Sequence, residues 1–517
     1  MRKKTGLTAT LAVLLTVSTL LSGCGGSESD EAGGSSSDPA SPMTITIANN
    51  WNAPEADNNF VQKYLEEKFD IKIKNVKFET ETWKEQLGVL LASGDIPDIL
   101  AVDGTVGDMV QWADQGVIAN ISADEIKQYM PKYTADIESV DPEAWAAGSY
   151  NDKNWGVPKV WSNGATGFLP AYNGQWLTAI GYDQPPKNLE ELEDVLTKFT
   201  FEDPDGNGKK DTYGMTGRGK DAQTQMFNSI FAAYGVNPYQ FKLGADGKVE
   251  YGATTEEARS ALKLLNKWYK AGIIDPEFIT DGNGEIQTKF ISLRTGMFDT
   301  GMWHHLYADG YFGLVAADKG IDLVPGSPLT GPDGNRYAMA NGALQPPLFF
   351  GVQLEKDDAK RQKILELLEY VATDDTGYLT TLFGKEGETY DLQDGLPVLK
   401  DGVNAAEWGL SFYNPFGGKV SAMEKYHFSP EKIEFRDTYT NIEGLNVLTD
   451  LMQSTVMSSK AQYEAILTTL QAQYYIKAIT GEADTYKDFD DFKAQWINSG
   501  GQAELDEAQA IYEARQS

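Results

Sequence analysis

An α/β fold is what this chain predicts, and three observations predict it. The folded part opens with a strand, a helix and a second strand in that order, which favours a parallel sheet covered by helices. A further helix–turn–strand unit follows before residue 103. Further on, helical and strand periods stay interleaved, with no repeat of solenoid length.

The elements follow in order. In MTITIANN, Met43, Ile45 and Ile47 alternate with Thr44 and Thr46, the period of a half-buried strand. Asn49 and Asn50 end it, and Trp51 stands just beyond. Phe60, Val61, Tyr64, Leu65 and Phe69 recur at helical spacing, and IKIKNVKF follows as a second strand. WKEQLGVLLASGDIPDILAVDG gives a helix through Leu91, a Gly-Asp-Ile-Pro turn and a short apolar strand, Ile99–Val102. In NLEELEDVLTKF, Asn188 is the N-cap and Glu191 stands three residues on, a capping-box pattern. Ile364, Leu367, Leu368 and Val371 mark another helix, and AQYEAILTTLQAQYYIKAITG a long one ending near Gly481. GADGKV and GPDGNR read as tight turns between short strands. Open α/β sheets bind ligands at the carboxyl ends of their strands, which puts Asn50, Trp51, Asp103 and Gly104 at one cleft edge.

Composition narrows the partners. The 517 residues suffice for two or more domains, or one large one, with a sizeable core. Lys and Arg number 44 against 76 Asp and Glu, a net charge of −32. Such a chain repels phosphate backbones, so nucleic acid is excluded as a partner. The 25 Tyr and 11 Trp are mostly core material, yet aromatic faces also stack on the C–H faces of sugars.

The first residues form a signal for export. MRKK is a positive n-region, and LTATLAVLLTVSTLL is an apolar run too short for a comfortable membrane span. Leu21-Ser22-Gly23-Cys24 carries the only cysteine and resembles a bacterial lipobox, in which the signal (1–23) is cleaved and the thiol of Cys24 takes a diacylglycerol thioether. Residues 24–42, rich in Gly, Ser and acids, then form a flexible tether.

DPDGNGKKD has the pattern of a calcium loop. EF-hand-type loops place oxygen ligands at positions 1, 3, 5, 7 and 9, with Gly at 6. Asp203, Asp205 and Asn207 fill the first three, the Lys209 carbonyl the fourth and Asp211 the fifth, with Gly208 at the turn. Gly214 stands where the bidentate Glu belongs, so another oxygen must complete the shell. The alternative is an Asp/Gly-rich turn without metal. An exported protein lacking that last carboxylate suits structural calcium better than sensing.

Catalytic signatures are missing. No HExxH, Gly-x-Ser-x-Gly elbow or phosphate loop occurs, and the three His are His304, His305 and His427. A carboxylate pair is not excluded among so many acids.

Taken together, LLASGDIPDIL, AYNGQWLTAIGYDQPPKNLEELEDVLTKF, EDPDGNGKKDTYGMTG, GMFDTGMWHH and FGKEGETYDLQDGLPVL resemble the extracellular solute-binding proteins of ABC importers, in their sugar-binding group. Large lipoproteins of Gram-positive bacteria and alginate-oligosaccharide-binding proteins are similar. The resemblance implies a two-lobe, periplasmic-binding-protein-like fold, each lobe a mixed sheet flanked by helices, with a hinge between lobes. It sets one lobe at 43–162 and 325–400 and the other at 163–324 and 401–517, with crossings near 162–166, 322–326 and 400. It implies a monomer, lipid-anchored on the extracellular face of the cell membrane. That monomer catalyses nothing and hands an oligosaccharide to ABC permease subunits driven by a separate ATPase. In the alginate-binding relatives an equivalent loop holds structural calcium, but Thr212 stands here where those relatives carry a Glu ligand. Relatives often read Tyr-x-Arg-x-Asp-Trp-Leu where this chain has Ala171-Tyr172-Asn173-Gly174-Gln175-Trp176-Leu177, and the missing Arg favours a neutral sugar.

Sugar sites pair aromatic platforms with polar groups, here expected at strand ends and crossings. The candidates are Trp51, Asp103, Trp161, Tyr172, Trp303, Trp408 and Tyr413, with Glu386 and Tyr390 added from GKEGETY. Core packing is the alternative for each Trp, and helix capping for Asp103. Rival functions are a peptide or signal-molecule receptor on the same fold and an anchored glycosidase.

Overall fold

The computed structural model describes residues 42–79, 82–161, 167–301, 316, 319–417, 420–440, 442–453 and 455–516. Cys24 and the tether, the expected crossing at 162–166, and Trp303 with His304 and His305 lie outside them. Met43–Ser517 forms one compact unit.

Two mixed sheets organise it. In the first, β1 (Met43–Asn49) lies between β2 (Ile71–Lys77) and β3 (Ile99–Ala101), parallel to both. Leu344–Phe350 adds antiparallel to β3, and Val157–Val160 antiparallel to Leu344–Phe350. The alternation in β1 sends Ile45 and Ile47 inward. α1 (Phe60–Phe69) forms because Asn59 accepts a hydrogen bond from the Gln62 amide at 2.9 Å and because Val61 and Leu65 share the face buried against the sheet. Asp70, with φ of 52°, turns the chain out of the helix into β2. α2 (Trp83–Ser93) precedes β3, and α3 (Val106–Asp114) follows it under a capping box between Thr105 and Asp108.

The second sheet runs Leu323–Pro325, Phe168–Asn173, Thr295–Gly301, Tyr213–Met215, with antiparallel, antiparallel and parallel pairings. Asn188 caps Leu189–Phe201 as its side chain accepts from the Glu191 amide at 2.9 Å. Leu192, Val195, Leu196 and Phe199 of that helix enter a core shared with Trp176, Trp268 and Tyr475. Each large apolar side chain so buried contributes roughly 1.5–3 kcal/mol. The long helix Ser458–Thr480 packs on Glu256–Lys270 and ends at Gly481 in the left-handed region.

Two expected crossings sit elsewhere. Leu323–Pro325 pairs within the second sheet, and Leu329 and Met339 belong to its core, so the chain returns to the first sheet only at Leu344. Nor does it leave near 400. Leu410, Phe412, Tyr413, Phe416, Val420 and Met423 are buried with Ile45 and Phe350, because their apolar run covers the first sheet. The stretch before 400 is instead a hairpin, Tyr390–Gln393 with Leu396–Leu399. Among the described residues, no helix is long and apolar enough to cross a membrane.

Candidate functional site

β1 and β3 end side by side, and their carboxyl ends open into a cavity of about 460 Å³. Asn49, Trp51 and Asn52 reach it from β1, Ala101 and Asp103 from β3, and Lys159 from Val157–Val160. The far wall is Leu382–Phe383, the 411–417 loop and His427.

Trp51 is half exposed, and it is held at both ends. Its backbone amide donates to Asn49 Oδ1 at 2.9 Å, while Asn49 Nδ2 donates to the Phe412 carbonyl at 2.9 Å. Its indole Nε1 donates to Asp103 Oδ2, which also accepts from Asn50 Nδ2 at 3.2 Å. A large apolar ring open to water and held by these four bonds is a prepared platform. Gly104 lets the chain turn behind Asp103, since a Cβ there would stand 2.9 Å from the Trp112 ring and 3.1 Å from Phe349.

Trp51 and Asp103, both expected from sequence, therefore meet in one site. The other candidates fare differently. Tyr172 is fully buried in the second core and cannot touch a ligand from there; its strand is covered on both faces. Tyr413 is 1% exposed, its hydroxyl accepting from Asn59 Nδ2 at 2.8 Å, so it braces the start of α1. Trp408 packs edge-on against Phe60 with ring centroids 5.1 Å apart. Tyr390 is buried behind Phe383, and Glu386 is exposed in the turn beside it; neither lines the cavity. Trp161 is half-buried at the edge of a described segment, its amide donating to the Ala343 carbonyl at 2.7 Å, and it too lies off the cavity wall. Lys159, Phe383, Ser411, Asn414 and His427 line the cavity and were not anticipated. Among the described residues nothing in their local spacing marks them, because they come from four separate stretches of chain.

His427 is set into an apolar wall, its ring 5.7 Å from Phe383 and 5.8 Å from Tyr378. Burial lowers its pKa to about 4, with the Glu424 charge opposing the shift.

The 203–211 loop is built as the sequence suggests in backbone and differs in its side chains. Asp203, Gly206 and Gly208 all take positive φ, and the Gly208 amide donates to Asp203 Oδ2 at 2.9 Å. Asn207 Nδ2 donates to Asp205 at 2.6 Å and to Asp211 at 3.2 Å, standing between the carboxylates as a neutral spacer. Burial and the charges of Asp203 and Asp211 raise the Asp205 pKa. Asp203 Oδ1 is buried without a partner, which fits a cation. Yet among the described residues no three carboxylate, His or Cys side chains converge as a metal cluster. Thr212 cannot replace a ligand, since it is buried and its hydroxyl donates to the Phe199 carbonyl at 2.8 Å. Gly214 is fixed by packing: a Cβ there would meet Leu196 Cβ at 2.7 Å, so the strand's approach to the helix forbids the Glu.

Comparison with known proteins adds to this geometry. The profile of the family described as bacterial extracellular solute-binding protein matches residues 59–379. Lipoprotein LipO of Bacillus subtilis is 24% identical, over 96% of both chains. The polygalacturonan/rhamnogalacturonan-binding protein YtcQ of the same organism is 22% identical over 97% of both. Among solved structures, alginate-binding protein AlgQ2 without calcium ion superposes with a TM-score of 0.69 at 20% identity, covering 92% of this chain and 98% of that one. The Streptococcus pneumoniae ABC-transporter substrate-binding protein FusA in complex with kestose gives 0.70 at 18% identity, covering 92% and 99%. Its EF-hand mutant with fructo-nystose gives 0.70 at 19% over the same shares. These structural likenesses establish the shared fold.

Proposed function

Because the chain belongs to the bacterial extracellular solute-binding proteins, we propose that it captures an oligosaccharide between two lobes and delivers it to an ABC permease powered by a separate ATPase. The observation that carries the sugar reading is Trp51, a half-exposed residue whose indole is held by Asp103 beside a cavity of mixed polar and apolar lining. A pyranose presents a C–H face to such a ring and hydroxyl pairs to such a carboxylate. Asp103 and Lys159 put one anion and one cation on the cavity wall, which gives no net positive field for a polyanion and favours a neutral sugar.

In this reading the lobes are the two sheets with their helices, and the chain passes between them after Val160, near 339–344 and after Phe428. Closure over the ligand is a hinge motion. The protein acts by binding alone. Cys24 anchors the monomer by lipid to the outer face of the cell membrane, and the tether gives it reach. Calcium, when bound by Asp203, Asp205, Asn207, the Lys209 carbonyl and Asp211, serves as a rivet for the second lobe by cancelling the repulsion among its carboxylates.

The test is a thermal-shift and calorimetric screen of neutral oligosaccharides, including kestose, and acidic ones, including trigalacturonate, with product analysis of each incubation. A neutral sugar should bind without turnover. Silence across the sugars with a response to peptides would overturn the reading, and turnover would replace it with a glycosidase.

A further inference from the structure

The wall opposite Trp51 contains a hydrogen-bond relay whose direction can be worked out. Tyr378 Oη lies 2.8 Å from the Gly417 carbonyl and 2.7 Å from His427 Nε2. A carbonyl only accepts, so the single hydroxyl proton of Tyr378 goes to Gly417. The contact with His427 must then run the other way, with Nε2–H donating to the phenol oxygen. That choice of tautomer leaves Nδ1 as a bare lone pair. No described group hydrogen-bonds Nδ1, and it is not among the sealed atoms without partners. His427 lines the cavity, and Nδ1 is its ring nitrogen without a hydrogen-bond partner among the described residues.

Two neighbouring asparagines do not compete for that role. Asn414 spends its Nδ2 on the Val371 carbonyl at 2.6 Å and its Oδ1 on the amides of Phe416 and Gly417, both at 3.2 Å. Asn49 is likewise committed at both ends. These asparagines shape the wall, and the imidazole keeps an acceptor for the ligand.

We propose that His427 is a specificity-determining residue of this cavity: its Nδ1 accepts a hydrogen bond from a ligand hydroxyl opposite the Trp51 face. The proposal rests on the sugar reading above and sharpens it. A ligand group at that point must be a donor. A carboxylate, or an acylated or sulfated hydroxyl, would set acceptor against acceptor and is rejected there. Protonation would invert the preference, and the apolar packing by Phe383 and Phe428 opposes it. Among the described residues, the charged and titratable groups around the ring include Asp103 and Lys159 on the cavity wall, Tyr378 behind it and Glu424 on the preceding turn.

The experiment compares the mature chain with His427→Phe and His427→Gln by calorimetry against the neutral sugar that binds most tightly in a panel containing kestose. His427→Phe removes the acceptor and should weaken binding about tenfold, the worth of one neutral hydrogen bond. His427→Gln offers a carboxamide oxygen and should stay within about threefold. Between pH 6 and pH 4 the native protein should lose affinity more steeply than the Gln variant, because Asp103 and Lys159 are common to both and only the imidazole differs. Circular dichroism and unliganded melting of each variant separate misfolding from lost binding. Native affinity unmoved by His427→Phe, or equal loss in both variants with melting unchanged, overturns the role of His427 and leaves the sugar reading intact. If no sugar in the panel binds the native chain, the sugar reading itself falls and takes this proposal with it.

Discussion

The Trp51 cavity and the 203–211 loop are both polar, and they are poised in opposite ways. In the cavity most polar side chains are fixed by an internal partner and keep some hydrogen-bonding capacity turned outward: Asp103 holds Trp51, and His427 is held by Tyr378. Its geometry is ready before a ligand arrives, so binding loses little to reorganisation. In the loop the carboxylates face one another across the Asn207 amide, and Asp205 is held above its ordinary pKa by burial and its acidic neighbours. That region is held by mutual contacts among its own acidic side chains and Asn207. The lesson is that matching a motif in sequence and being assembled in space are separate properties.

Calcium should act on the loop and leave the cavity alone. At about 100 times its Kd, calcium should stabilise the protein by roughly 2.7 kcal/mol in thermal denaturation, and Asp203→Asn with Asp205→Asn should erase that gain. Sugar affinity should be almost unchanged by chelation, since cavity and loop belong to different cores. No shift with calcium would remove the rivet.

Trp51→Ala tests the prepared platform. Truncating a central aromatic anchor typically costs about 2 kcal/mol, so affinity should fall about thirtyfold in calorimetry. The unliganded melting temperature should hold, because the residue is already half exposed. A large fall in melting with little change in affinity would turn Trp51 into a structural residue.

Asp103→Asn sharpens the same point. The amide oxygen can still accept from the indole, so Trp51 stays upright while the charge is lost. Affinity should drop by about 1 kcal/mol, a factor of about five.

The smallest effect concerns pH. A folded-state pKa raised above the ordinary 3.8 of Asp205 means its stabilising contribution is complete below 3.8 and is lost as pH rises through the folded value. Without calcium, Asp205→Asn should therefore raise stability modestly at pH 7 and make no difference near pH 3. Melting curves at both values check the sign.

Much of the first sheet was legible. The alternation of Met43, Ile45 and Ile47 and the helical spacing from Phe60 to Phe69 became β1 and α1 because each pattern has one face to bury and a cap to start or stop it. Trp51 and Asp103 could be found because strand ends are predictable and parallel neighbours end together. The crossings were not legible, because apolar runs such as Leu410 to Met423 look alike whichever sheet they cover.

The sequence alone determined the strand–helix alternation, the ligand pattern of the acidic loop and one side of the cavity, since all of these rest on residues close together in the chain. Tertiary structure alone decided the rest. It buried Tyr172 and Tyr413, barred a glutamate from position 214 by the approach of Leu196, and brought Lys159 and His427 to face Trp51. Asn49 reaches Phe412 across 363 residues of chain to close that wall. Contacts over such separations depend on which cores the segments share, and local periodicity carries no record of that choice.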